Sequence, residues 1–226
     1  MSKKRKDFLG PEYDKVIKKN WGFYNFIKRA FDIVSSFCVI VVILPILILI
    51  PLLIMICSPG NPFYVEKRKG KNNKDFYLLK YRTMYKDSEN IDKYLNKEQK
   101  IQWEEERKID NDPRITKIGK ILRKTSLDEL PQLFNILVGS MSVVGYRPME
   151  ENEINKHFTK NEQKILLLGK PGLTGYWQVY GRGKAEYKTG ERQKIELEYY
   201  LKRSLSFDLK LIFLTIPAVI KGEGAK

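Results

Sequence analysis

The sequence predicts a mainly helical α+β protein with a re-entrant N-terminal membrane helix broken at Pro45, a small β-hairpin and amphipathic helices at the membrane interface. Three observations carry this. Residues Phe31–Cys57 are apolar apart from Asp32, Ser35 and Ser36, and crossing a bilayer takes about 20 apolar residues. Both flanks of the run are basic: residues 1–30 hold nine Lys/Arg against three acids, and residues 58–82 hold seven against two. Positive charge marks the cytoplasmic side, so a straight span would leave one basic flank on the wrong face. Pro45 lies mid-run, with Pro51 two turns on, and a proline inside a helix removes a backbone donor and bends it. Entry and exit by one face reconcile all three.

The chain divides at that run. Residues 1–57 form the basic, aromatic N-terminal segment with the membrane helix, and residues 58–226 form a domain at the cytoplasmic side of the interface. In the first part, "IKKNWGFYNFIKR" sets Trp21, Phe23, Tyr24 and Phe26 among lysines, which suits a helix lying in the headgroup region. The apolar run is too long for a cleaved signal, and "CSPGNP" has no small-residue cleavage site. Next, "NPFYVEKRKGKNNKDFYLLKYRTM" alternates apolar and polar residues around a Gly-Lys-Asn-Asn turn. This predicts a hairpin with Phe63, Val65, Phe76 and Leu78 available for the core.

Residues 85–108 are dense in charge and read as a solvated helix. "ITKIGKILRKTS" puts Ile115, Ile118, Ile121 and Leu122 on one helical face. Pro131 marks the next helix start, because its missing amide hydrogen is harmless only in a first turn. That helix begins near Leu127–Glu129 and runs to Gly139. "VVGYRP" and "GKPGLTGYWQVYGRGK" are Gly/Pro-punctuated loops suited to binding anions. The terminal "LEYYLKRSLSFDLKLIFLTIPAVIKG" is amphipathic and too short in its apolar part to span.

Net charge is +15 over 226 residues, which favours anionic partners: nucleic acid, an anionic membrane, or phosphorylated substrates. Two cysteines, Cys38 and Cys57, in or ending the apolar run, and a single His157 leave no disulfide framework, zinc site or Ser-His-Asp triad. A metal would have to bind through carboxylates and phosphates.

The stretch "LRKTSLDELPQL" holds the sharpest candidate. Ser126-x-x-Glu129 matches a capping box, and acids in a first turn are favoured by the helix dipole. With Lys120, Arg123 and Lys124 in the preceding turns, the same place reads as a phosphate site containing a carboxylate. A carboxylate can act as a covalent nucleophile on phosphorus, and cationic surroundings would keep Asp128 ionised. Asp110-Asn111-Asp112 competes as a D-x-D metal site, although "NDPR" is ordinary turn sequence.

Several stretches together resemble the bacterial sugar transferases, the monotopic polyprenyl-phosphate phosphoglycosyl transferases. They are "KRAFDIV", "KYRTM", "DPRITKIGKILRKTSLDELPQLFNILVGSMSVVG", "RP", "PGLTGYWQVYGR" and "SFDLKLIFLT", in that order from about residue 28 to 217. The resemblance implies that Asp128 and Glu129 are the catalytic acid pair. It implies substrate-binding roles for Lys80, Arg82, Arg123, Arg147, Pro148, Gln178, Arg182 and Asp208, with Mg2+ as cofactor and Asp128 touching it. The implied reaction moves a sugar 1-phosphate from a nucleotide diphosphate sugar to polyprenol (undecaprenyl) phosphate through a covalent Asp128 intermediate, releasing nucleoside monophosphate. It would be the first membrane step of a surface polysaccharide or glycoconjugate pathway, at the cytoplasmic face of a bacterial inner membrane. "TGYWQVYGR" and the 85–112 insertion resemble hexose-transferring members, hence a UDP-hexose donor. Membrane lipids are expected partners, a homodimer is compatible with the resemblance, and nucleic acid is not expected.

Two positions depart from the family pattern. Leu44 stands where a serine usually precedes the helix-breaking proline, and Tyr146-Arg147-Pro148 stands for Pro-Arg-Pro. The large N-terminal membrane domain of some members is expected to be absent. Two rival readings remain: a membrane-anchored, basic nucleic-acid-binding protein, and a metal-dependent glycosyltransferase using Asp110 and Asp112. The first lacks a recognised nucleic-acid motif; the second would release nucleoside diphosphate.

Overall fold

The computed structural model describes residues 8–106, 109, 111–182 and 185–220. A short helix, α1 (Glu12–Lys18), precedes the long α2 (Gly22–Cys57), then β1 (Phe63–Lys69) and β2 (Asp75–Tyr81). The charge-dense segment forms two helices, α3 (Ile91–Tyr94) and α4 (Lys97–Glu106). After these come α5 (Lys117–Thr125), α6 (Gln132–Val138), β3 (Ser142–Val144), α7 (Glu151–His157) and α8 (Lys160–Leu166). The chain closes with β4 (Gly172–Thr174), α9 (Tyr176–Tyr180), α10 (Glu191–Lys202) and α11 (Leu205–Ile220). The fold is mainly helical, with an antiparallel β1–β2 hairpin and a short parallel β3–β4 pair.

The expected break at Pro45 is not present: α2 runs as one helix from Gly22 to Cys57 with Pro45 and Pro51 inside it. Proline's fixed φ is itself helical, so each one costs a hydrogen bond without forcing the chain out of the helix. This helix is long and apolar enough to cross a membrane. Its burial pattern says more. Asp32, Ser36, Ile40, Leu47, Ile50 and Ile54 are buried while the residues between them are largely exposed. Steps of three, four and seven residues place these six on one stripe. α2 therefore lies along the rest of the protein by one face and presents apolar side chains on the others.

Polar contacts pin the stripe. Arg29 donates to the Ile136 and Leu137 carbonyls at 2.6 and 2.8 Å, capping the end of α6. Asp32 accepts from the Val143 N–H at 2.9 Å and the Ser142 hydroxyl at 3.1 Å. Tyr81 donates to the Leu47 carbonyl, and Arg82 to the Ser58 carbonyl just past the helix end. Directional bonds of this kind fix the rotation and register of the docked helix, which apolar burial alone leaves loosely defined.

The hairpin corrects one expectation. Phe76 and Leu78 are buried, but Phe63 and Val65 are exposed. The register pairs Phe63 with Tyr81, Val65 with Leu79 and Glu66 with Leu78. Directly opposed residues share a face, so Phe76 and Leu78 face the same way as Glu66 and Arg68. The apolar positions of the two strands therefore lie on opposite faces, and only one face is buried. Ile121 also departs from its expected place: Leu122 is buried on α5, whereas Ile121 is exposed. Among the N-terminal aromatics, Trp21 and Tyr24 pack on the Arg203 guanidinium at 4.9 and 4.4 Å, while Phe23 and Phe26 are exposed. On α11, Leu209, Phe213 and Ile216 form an exposed apolar stripe, as expected of a helix at an interface.

Two apolar cores result. One joins α2, β2, α5 and α6 around Leu78, Tyr81, Leu133, Ile136 and Met141. The other joins α1, α7, α8, α10 and α11 around Tyr146, Ile165, Leu166, Leu197 and Leu211. β3 and the segment after it belong to this second core through Val144, Tyr146 and Met149, and Val143 packs against both cores.

Candidate active site

The candidate acids lie on a sharp turn between α5 and α6. Thr116 caps α5, its hydroxyl accepting from the Gly119 N–H at 2.9 Å. Ser126 ends the helix in a left-handed conformation, φ 56°, an unusual state for a residue with a side chain. A single 3-10 turn, Leu127–Glu129, follows, and α6 starts only at Gln132. Asp128 therefore precedes α6 by one turn, where a helix start had been expected. The Ser126–Glu129 capping box does not form either: Ser126 makes no side-chain cap bond, and Glu129 faces Arg147, with Oε1 3.9 Å from Nη1.

Side-chain contacts of α6 and α5 bring the cations to this turn. Asn135 accepts from the Leu79 N–H at 2.9 Å and donates to the Tyr77 carbonyl at 2.8 Å. Acting as a substitute strand neighbour, it seats the α6 region against β2, whose Lys80 lies near Glu129. Gly119 allows α5 to approach Thr83 so closely that a Cβ would sit 2.0 Å from the Thr83 carbonyl oxygen. That approach lets Arg123 Nε donate to the Thr83 hydroxyl at 3.0 Å. Of the three expected α5 cations, Arg123 is turned inward, whereas Lys120 and Lys124 are exposed.

The electrostatics tie these groups together. Burial raises the Asp128 carboxyl from its ordinary 3.8 to about 6; neighbouring Glu129 adds to the rise, while Lys80 and Arg123 oppose it. Cationic surroundings had been expected to dominate, but desolvation outweighs them. An acid near 6 is still mostly ionised at neutral pH. Burial lowers the Lys80 ammonium, with Glu129 opposing, and lowers the Arg182 guanidinium, with Glu129 and Asp128 opposing. Lys80, Arg123, Arg147 and Arg182 thus surround one pair of acids.

The other expected residues separate. Pro148 follows Arg147 and is partly buried. Gln178 is buried on α9, with neither end of its amide hydrogen-bonded to a described residue. Arg82 is spent on the end of α2, through the Ser58 carbonyl. Asp208 lies in another network, accepting from Lys28 at 2.6 Å, Tyr199 at 2.9 Å and the Tyr24 hydroxyl at 2.5 Å. Asp112 is held by Arg114 through Nε and Nη2, so its oxygens are committed to an arginine. Asp110 lies outside the described residues. Sequence reasoning passed over Trp177, whose ring lies 5.5 Å from the Arg147 guanidinium and 4.3 Å from that of Arg192. Its signal was its place inside "GYWQVYGR".

Comparisons with known proteins place the chain in a family. Residues 23–222 match the bacterial sugar transferase family. The exopolysaccharide production protein ExoY of Rhizobium meliloti (strain 1021) is 40% identical over 201 residues, 88% of this chain and 87% of that protein. The UDP-galactose-lipid carrier transferase of Erwinia amylovora is 39% identical over 205 residues, 89% of this chain and 42% of that protein. The undecaprenyl-phosphate galactose phosphotransferase of Salmonella typhimurium (strain LT2) is 39% identical over 205 residues, again 89% and 42%. The chain thus spans most of ExoY and less than half the length of the other two. With the family matched over nearly its whole length, the chain belongs to the bacterial sugar transferases.

Proposed function

We propose that this protein transfers a sugar 1-phosphate from a nucleotide diphosphate sugar to polyprenol phosphate, with Asp128 as covalent nucleophile. The observation that carries the reading is one turn holding Asp128 and Glu129 with Lys80, Arg123, Arg147 and Arg182 around it. Cations around the acids suit a diphosphate, and the carboxylate supplies what a diphosphate needs for transfer, an anionic nucleophile.

In the first step, Asp128 attacks the sugar-bearing phosphorus, the diphosphate P–O bond breaks, and nucleoside monophosphate leaves with the bonding electrons. In the second, a phosphate oxygen of polyprenol phosphate attacks the acyl phosphate. The product is polyprenyl diphosphate sugar, and the Asp128 carboxylate is regenerated. The arginines, as planar donors, suit oxygens of the diphosphate and the developing charge on phosphorus. The names of the Erwinia and Salmonella relatives support a lipid-carrier acceptor and a UDP-hexose donor.

Magnesium fits the same place. Two adjacent carboxylates suit an ion that completes its shell with phosphate oxygens and water. No group of three or more His, Cys, Asp or Glu converges among the described residues, so a caged all-protein metal site has no support. Asp128 and Glu129 would hold the ion, and it would offset diphosphate charge. The stripe on α2, with basic residues on both flanks of the apolar run, supports a one-sided membrane arrangement. A helix docked to the catalytic body from Arg29 to Ser58 cannot cross the bilayer without carrying that body inward, which favours immersion from the cytoplasmic side alone.

The released nucleotide tests the reaction. With polyprenol phosphate supplied, nucleoside monophosphate is expected, and nucleoside diphosphate would overturn the reading. With labelled nucleotide sugar and no acceptor, the wild type should retain covalent label and Asp128→Asn should not.

A further inference from the structure

Glu196 carries a role that its sequence position does not announce. It lies on α10 and is 1% exposed. A fully buried carboxylate is costly unless compensated, and a hydrophobic residue of similar volume often packs more stably. Its one hydrogen bond among the described residues is from the Arg147 main-chain N–H, at 3.3 Å to Oε1. The second oxygen, Oε2, is buried without a partner there. Burial raises its acid to about 7, with Arg192 and Arg147 opposing.

The chain around Arg147 shows what that bond does. Gly145 N–H donates to the Thr174 carbonyl at 2.9 Å, and the Tyr146 carbonyl accepts from Gly172 at 2.8 Å. The pairing with the β4 segment therefore ends at Tyr146, and Arg147 offers the first main-chain donor beyond it. Glu196 takes that donor where a strand neighbour is lacking. Above the same anchor, the Arg147 guanidinium lies over Trp177 and reaches Glu129. Trp177 is backed by Arg192, which is held by Glu153 at 3.3 Å.

We propose that Glu196 is a positioning residue: by holding the Arg147 main chain, it places the guanidinium beside Glu129, ready for the donor diphosphate. The inference rests on the phosphoglycosyl-transfer reading.

The test uses the full-length protein in lipid nanodiscs, with Glu196→Ala and Glu196→Gln compared with wild type. Two measurements are made: donor-dependent covalent labelling without acceptor, and amide hydrogen exchange at Arg147 against Gly145. Glu196→Ala should speed exchange at Arg147 and leave Gly145 protected. Loss of one oriented hydrogen bond should raise the donor KM about tenfold, with the maximal labelling rate less affected. Gln retains an acceptor oxygen of the same reach, so Glu196→Gln should recover most of both losses.

Unchanged donor KM and unchanged Arg147 exchange in Glu196→Ala would overturn the proposal. So would faster exchange at Gly145 and Arg147 alike, with labelling reduced only through the fraction of folded protein. If the wild type takes no label, the failure lies with the parent reading, and Arg147 exchange still decides whether Glu196 holds the loop.

Discussion

The Tyr81 hydroxyl donates, at 2.9 Å, to the Leu47 carbonyl that Pro51 leaves without a helical partner. In a regular helix the amide of residue 51 would bond that carbonyl, and proline has none. Tyr81 is 3% exposed, so its hydroxyl satisfies an acceptor hidden from water. Removing one partner of a buried hydrogen bond costs about 1–3 kcal/mol. Tyr81→Phe should therefore lower stability by about that amount in thermal unfolding in detergent. In a Pro51→Ala background the helix supplies its own donor, and the penalty should shrink to a few tenths of a kcal/mol. Equal penalties in both backgrounds would show that Tyr81 acts through ring packing alone.

Asp128 should set activity against stability. Its carboxyl is raised from 3.8 to about 6, so the folded state binds the proton more tightly than the unfolded chain. Such an acid weighs against the fold once ionised: its cost is absent below about pH 4, grows between there and pH 6, and is complete above. Asp128→Asn should stabilise the protein by roughly 3 kcal/mol at pH 7, with the gain vanishing near pH 4. Unfolding curves in the presence of a chelator at the two pH values check this. A variant less stable than wild type at pH 7 would refute the direction.

The arginines should fail conservative replacement. Arg123, Arg147 and Arg182 converge on the acid pair from α5, from the segment after β3 and from the end of α9. Lysine keeps the charge but loses the planar pair of donors. Each Arg→Lys change should lower kcat/KM at least about tenfold, the equivalent of roughly 1.4 kcal/mol in the transition state. Full activity in all three would reduce them to a basic surface.

Topology gives a fourth prediction. Tags at residue 1 and at the C-terminus should both be accessible only from the cytoplasm. Opposite accessibility would mean that α2 crosses the bilayer. Because the docking stripe continues past both prolines, Pro45→Leu should leave this orientation unchanged.

Much of this was legible in the sequence, and the exceptions share a cause. The apolar run, the hairpin and the Gly139 end of α6 follow from local periodicity and turn chemistry. The core face of the hairpin did not, because Val65 and Leu78 each sit in a proper alternating pattern and only the register sets them on opposite faces. The acid pair was visible as residue types, but the direction of the Asp128 shift depends on how much water the folded chain removes, which no local pattern encodes. Glu196 was invisible for the same reason: in "ERQKIELEYYLK" it reads as one more charge on a solvated helix, and its partner lies 49 residues away.

The docked stripe of α2 also bears on the order of assembly. Asp32 waits for Val143, 111 residues later, and Lys28 waits for Asp208, 180 residues later. Contacts so distant in sequence form late, and the segment that needs them emerges first. Lys28 and Asp32 therefore stay without these partners until the body is synthesised, and α2 can dock only as the last act of closing the enzyme. Cutting α2 away would strip one wall from the core around Leu78 and Ile136, and what remained would be an unfinished protein instead of a soluble version of it.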